Sequence, residues 1–188
     1  MDRMIIVREV TPEQWATLRD VRLAALLDAP SAFASTYARE APFTEEQWRG
    51  RIAARVMNFF AFADEVADGQ PAGLAAVFEA DGPAELVSMW VRPAARGRGV
   101  GEALISAAAD WARARDHDAL YLWVAQVNPA ARRLYERCGF TPTGDEQPFP
   151  NDPSRLEIRM RRALLAAAVR ELGADAEQPH RSPRREHS

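Results

Sequence analysis

The pattern of apolar and polar positions divides this chain into short strands and amphipathic helices. A weak alternation runs from Met4 to Val10, and further strands are predicted at 58–63, 73–79, 85–91, 120–125, near Phe140 and at 156–160. Thr11-Pro12-Glu13-Gln14 supplies an N-cap, a proline at the first helical position and polar early residues, so a helix is expected to about Leu27, ended by Pro30. Residues 29–42 form a loop, and Thr44-Glu45-Glu46-Gln47 is a capping box opening a helix to about Arg55. Asp68-Gly69 and Asp81-Gly82 mark turns between strands. Later helices are expected from about 100 to 115 and from Asn128 onward. The order predicts an α/β (α+β) fold: a mixed, mostly antiparallel sheet of six to seven strands flanked by about four helices. Leu164 to Leu172 reads as a short helical extension stopped by Gly173, giving a folded domain over 1–172. Residues 173–188, polar and charge-dense without apolar periodicity, are expected to be a disordered tail.

Composition narrows the partners. At 188 residues the chain has one domain's length, and its net charge of −3 argues against a nucleic-acid footprint. No apolar run is long enough to span a membrane, and Met4-Ile5-Ile6-Val7 is too short for a secretory leader, so a cytoplasmic location is expected. Cys138 is the single cysteine, and His117, His180 and His187 offer no ligand spacing, so no metal is expected.

The chemistry-bearing segment runs from Val91 to Leu104. Gly97, Gly99 and Gly101 alternate between a strand and a helix, so that successive backbone N–H groups can turn toward one point beside the helix's positive end. Such a loop suits a pyrophosphate. The third glycine comes one residue too early for the dinucleotide fingerprint G-x-G-x-x-G. A Walker loop needs a lysine, and all 24 Lys+Arg residues are arginine. The remaining pattern is Arg-x-x-Gly-x-Gly, from Arg96 through Gly99 to Gly101.

Downstream stands Asn128-Pro129-Ala130-Ala131-Arg132-Arg133-Leu134-Tyr135-Glu136-Arg137-Cys138-Gly139-Phe140. Asn128 suits an N-cap, Pro129 the first helical position and Gly139 a left-handed stop. Two helical turns bring Tyr135 back to nearly the face of Asn128. The two segments together resemble the acetyl-CoA signature and the N-x-x-A-x-x-x-Y-x-x-x-G-F hallmark of the GNAT superfamily of N-acetyltransferases. The element order matches that family's fold over about residues 4–162.

The resemblance implies acetyl transfer from acetyl-CoA to an amine, with no metal. It places the pyrophosphate on the backbone of Arg96, Gly97, Arg98, Gly99, Val100 and Gly101, and the pantetheine arm along Met89, Trp90 and Val91. Asn128 and Tyr135 complete the cofactor set. The Met89 N–H is assigned to the thioester carbonyl, and Tyr135 to protonating the leaving thiolate, a transfer of little cost at reference pKa values near 10 and 8.5. Glu85, eleven residues before Arg96, matches the catalytic glutamate of histone-type members. Alternation puts it on the face of Met89 if no bulge intervenes. Direct deprotonation of an ammonium by a reference glutamate crosses a gap of about 6 pK units, roughly 8 kcal/mol, so water or post-attack transfer is expected. The position of the glutamate used by ribosomal-protein acetyltransferases is Trp123. Acceptor choice is expected from 29–42 and 141–155, whose Phe33, Tyr37, Phe149, Glu40, Asp145, Glu146 and Asp152 suit a cationic small-molecule amine. The alternatives are a protein N-terminal or lysine acetyltransferase and a non-catalytic CoA-binding regulator. The resemblance also allows a homodimer. The lack of lysine rules out self-acetylation at that residue type.

Overall fold

A computed structural model of the protein describes residues 4–53, 55–64, 66, 69–79 and 82–164. Seven strands form one sheet: β1 (Ile5–Glu9), β2 (Val56–Ala63), β3 (Gly73–Glu79), β4 (Ala84–Val91), β5 (Ala119–Ala125), β6 (Thr141–Phe149) and β7 (Asp152–Ala163). Their spatial order is β1-β2-β3-β4-β5-β7-β6. Neighbours are antiparallel except β4 and β5, which are parallel and pair only at Ala84–Leu120 and Glu85–Tyr121. Beyond those two pairs the sheet forks.

Helices α1 (Trp15–Asp28), α2 (Tyr37–Glu40) and α3 (Glu45–Ala53) lie between β1 and β2, whereas α4 (Val100–Arg113) and α5 (Pro129–Arg137) flank β5 in sequence. The buried positions of α4, Val100, Gly101, Leu104, Ile105, Ala108, Ala109 and Ala112, repeat at helical spacing. They pack in one core with Phe59, Ala61, Ala75, Val77, Leu86, Leu120 and Leu122. Leu18, Val21, Ala25 and Leu26 of α1 form a second core with Phe60, Leu74 and Trp90. Adjacent strand residues thus enter different cores, as the two-residue repeat of a strand requires.

The predicted caps form. Thr44 and Gln47 exchange backbone-to-side-chain hydrogen bonds, the Asn128 Oδ1 accepts from the Ala131 N–H at 3.1 Å, and Gly139 is left-handed at φ +86°. Three expectations need correction. The expected loop at 29–42 carries the short helix α2, whose N-cap Thr36 accepts from the Arg39 N–H. Pro12–Gln14 is a separate 3-10 turn before α1. The segment 141–155, expected to join the strand near Phe140 to that at 156–160, is instead most of the long β6–β7 hairpin. β6 is an edge strand exposed along almost its whole length, so it lacks the alternation that marks a half-buried strand. Its edge position accommodates Pro142 and Pro148. Asp68 and Asp81 of the expected turns, the extension after Leu164, the 1–172 boundary and the tail lie outside the described residues.

Candidate active site

The fork between β4 and β5 opens into a cleft of about 400 Å³, lined by Met89, Trp90, Val91, Asn128 and Tyr135, by the glycine loop and by Phe33 after α1. Every residue expected to hold the cofactor lines it except Arg98. Gly97 and Gly99 have φ of +69° and +89°, and Gly99 caps α4 without a side chain, which leaves the first-turn N–H groups facing outward for an anion. Among the described residues no atom lies within 4 Å of where a Cβ on Gly97 would stand. At Gly101 a Cβ would come within 2.9 Å of Leu134 Cδ2, so this glycine serves the packing of α4 against α5. A left-handed loop at a helix start, leading into an apolar slot between strands, fits a pyrophosphate with a long thiol-bearing arm. Acetyl-CoA, when bound there, supplies an activated thioester. Arg96 is tied down locally: its Nε donates to the Val91 carbonyl at 3.0 Å and its guanidinium pairs with Asp28, which also accepts from Trp90 Nε1 at 2.9 Å.

A bulge redirects β4 at the fork. The ladder with β3 steps from Leu74–Trp90 to Ala76–Val87, so Ser88 and Met89 together oppose Ala75, and Ser88 takes φ +56°. Met89 therefore packs with the α4 core, as Leu86 does, while Glu85 belongs to the opposite face. The expected same-face placement of Glu85 and Met89 is thus overturned by the inserted residue. The Ser88 hydroxyl lies 3.3 Å from Arg22 Nη1, and Arg22 is itself clamped by the fully buried Glu40. Burial pushes the Glu40 carboxyl up, but hydrogen bonding and charge from Arg22, with Ser35 and Arg51, outweigh it and hold the group below the usual range.

Tyr135 is buried against Phe140, with ring centroids 5.8 Å apart. Burial, and secondarily Cys138, push its phenol well above its usual range. The proton is consequently held more tightly than reference values imply, and the cost of full transfer to a thiolate rises.

On the face opposite α4, β4, β5 and β7 present Glu85, Tyr121, Trp123, Glu157 and Arg159. Arg159 Nη2 pairs with Glu85 Oε1 at 3.3 Å, and its guanidinium stands 4.5 Å from the Tyr121 ring centroid and 5.7 Å from that of Trp123. Glu157 is buried and its Oε1 accepts from Gln147 Nε2 at 2.6 Å. At the hairpin tip Asn151 Nδ2 donates to the Phe33 carbonyl at 2.7 Å, joining the two segments expected to choose the acceptor.

The model of the Acetyltransferase (GNAT) family matches residues 22–140, the span that holds the fork, the loop and Tyr135. The chain belongs to the GNAT acetyltransferase family. Mycothiol acetyltransferase of Beutenbergia cavernae is 48% identical over 58 residues, 31% of this chain and 20% of the relative. Streptothricin acetyltransferase of Streptomyces lavendulae is 42% identical over 76 residues, 39% of this chain and 40% of the relative. The chain therefore spans well under half the length of these curated relatives. The structure of yncA from Salmonella typhimurium with acetyl-CoA shares the fold at a TM-score of 0.67 and 19% identity, covering 96% of this chain and 98% of that one.

Within this GNAT framework, sequence reasoning missed Glu157, Arg22 and Ser88. Glu157 falls in an Arg-rich strand, where an acid reads as a solvated charge. Arg22 and Ser88 are 66 residues apart, and only the folded sheet brings them together.

Proposed function

We propose that this protein transfers the acetyl group of acetyl-CoA to a primary amine of a small molecule. The observation that carries the reading is one cleft at the β4–β5 fork gathering the left-handed glycine loop, the Met89 bulge and the buried Tyr135. The backbone of 96–101 holds the pyrophosphate, the Met89 N–H polarises the thioester carbonyl and Tyr135 donates to the departing sulfur. Family membership and the likeness to an acetyl-CoA complex support the donor.

For the acceptor, a protein substrate would require an open groove across the splayed strands. The Asn151–Phe33 hydrogen bond instead bridges the two segments flanking that approach, which favours a compact amine. The partial likeness to streptothricin acetyltransferase points the same way.

The test is CoA release from acetyl-CoA by purified protein across streptothricin, spermidine, aminoglycosides, amino acids and peptides. Turnover confined to small amines is expected. Turnover on peptides alone, or none with acetyl-CoA bound, overturns the reading.

A further inference from the structure

The acceptor amine must lose a proton before or during attack, and Glu85, the acid expected there, is engaged by Arg159 at 3.3 Å. One strand farther from the fork stands a different carboxylate. Glu157 of β7 is in register with Ala125 of β5, and the Gln126 N–H donates to the Leu156 carbonyl at 3.0 Å. Ala125 is three residues before Asn128, which lines the cleft, and lies past the last β4–β5 pair at Tyr121. Glu157 thus sits at the level where the strands have parted. Its neighbours Ile158 and Met160 enter the α4 core, so strand alternation directs Glu157 to the other face, with Glu85, Tyr121 and Arg159. Resting on the acetyltransferase reading above, we infer that Glu157 binds the acceptor's ammonium and takes its proton.

The surroundings suit that task. Tyr121 and Trp123 give aromatic surface for the carbon skeleton of a cationic amine, and their attraction for a cation is already expressed by the Arg159 guanidinium resting on them. Among the described residues, the charged or titratable groups on this part of the sheet include Glu85 from β4, Tyr121 from β5, Asp145 from β6, and Arg155, Arg159 and Arg161 from β7. Among the described residues, the buried Arg159 Nε has no hydrogen-bond partner, so the guanidinium is incompletely satisfied by Glu85 and Asp145. Burial pushes the Glu157 carboxyl up, the Gln147 hydrogen bond pulls it down, and the Glu85 charge raises it again, for a net rise. The rise narrows the gap to an ammonium. In the step itself, the acceptor's R–NH3+ gives one proton to Glu157. The freed nitrogen pair forms the C–N bond as the thioester C–S bond breaks. The sulfur leaves as a thiolate hydrogen-bonded by Tyr135, the amide nitrogen releases its second proton to the thiolate or solvent, and Glu157 returns its own to solvent.

The experiment compares wild type, Glu157→Gln and Glu157→Asp with acetyl-CoA and streptothricin or spermidine, after thermal melts establish that each variant is folded. Steady-state rates from pH 6 to 9 are paired with calorimetry of CoA alone. Glu157→Gln is expected to lose about 10²-fold in kcat/KM for the amine, to lose one apparent pKa from the rate profile and to keep CoA affinity. Glu157→Asp is expected to recover part of the rate with the pKa restored. Wild-type turnover accompanied by an unchanged rate and pH profile in Glu157→Gln overturns the role of Glu157 alone. Wild-type protein that binds CoA but releases none from any acceptor overturns the acetyltransferase reading, and the role of Glu157 with it.

Discussion

The guanidinium of Arg22 forks onto the carboxylate of Glu40, with Nε to Oε2 at 3.0 Å and Nη2 to Oε1 at 2.9 Å, and Glu40 is completely buried. The third nitrogen, Nη1, reaches Ser88 at the bulge that aims the backbone of Met89. A buried ion pair therefore joins α1 and α2 to the strand that borders the cleft. Arg51 Nη1 also pairs with Glu40 Oε2 at 3.1 Å, so loss of Arg22 leaves the carboxylate one partner, whereas loss of the Glu40 charge strands the buried Arg22. Glu40→Gln is expected to cost about 3–5 kcal/mol in denaturant unfolding, since an uncompensated buried charge remains, and Arg22→Met to cost less. A cost under about 1 kcal/mol would show that water reaches the pair.

Acid should act through the same carboxylate. The native Glu40 pKa is below its unfolded value of about 4.3, so its contribution is complete above that value and is lost as pH falls through the native one. Wild-type melting temperature is expected to fall faster than that of Glu40→Gln on acidification below about pH 5. Parallel curves would remove Glu40 from the acid response.

The glycine loop tests local backbone geometry. Gly99 sits at φ +89°, and a Cβ there would approach Ile5 Cδ1 at 3.4 Å. Gly99→Ala is expected to lose about 1–2 kcal/mol of stability from left-handed strain and to weaken CoA binding measured by calorimetry. Gly82→Ala is the comparison: among the described residues no atom lies within 4 Å of its Cβ position, and its φ is outside the left-handed region, so CoA affinity should hold.

Tyr135 separates binding from chemistry. Removing only the hydroxyl preserves the ring's edge contact with Phe140 while deleting the donor proposed for the leaving sulfur. Tyr135→Phe is expected to lower kcat by about 10²-fold with CoA affinity nearly intact. An unchanged rate in single-turnover measurements would assign the thiolate's proton to water.

These tests divide along what local sequence can encode. The loop at Gly97–Gly101 and the Asn128–Gly139 helix were legible because caps and left-handed turns are fixed by residues a few positions apart. Sheet register is not encoded that way. Ser88 adopts φ +56° without being glycine or asparagine, so nothing in the sequence marks the bulge that parts Glu85 from Met89. β6 lies exposed at the sheet edge and buries little more than Phe149, so its strand character comes from pairing with β7 rather than from its own pattern. Glu40 was legible only as one of the acids suited to a cationic acceptor, because its buried pairing depends on Arg22, 18 residues earlier.

Glu157 offers a signature that an ordinary structural carboxylate would not. Burial, with the Glu85 charge, raises its native pKa above the unfolded value of about 4.3, against the pull of Gln147. Its favourable contribution is then present at acid pH and is lost as pH rises through the native value, because the folded state must hold a charge that the unfolded chain hydrates freely. Glu157→Gln keeps the shape and a partner for Gln147 while removing that charge. Its melting temperature relative to wild type is therefore expected to rise between pH 4 and pH 8, and to exceed wild type at the upper end. A difference that stays constant with pH would mean the carboxylate is not strained in the fold. A rising difference, alongside lost turnover, would set stability against activity at one residue, as expected where a buried charge is retained for chemistry rather than for folding.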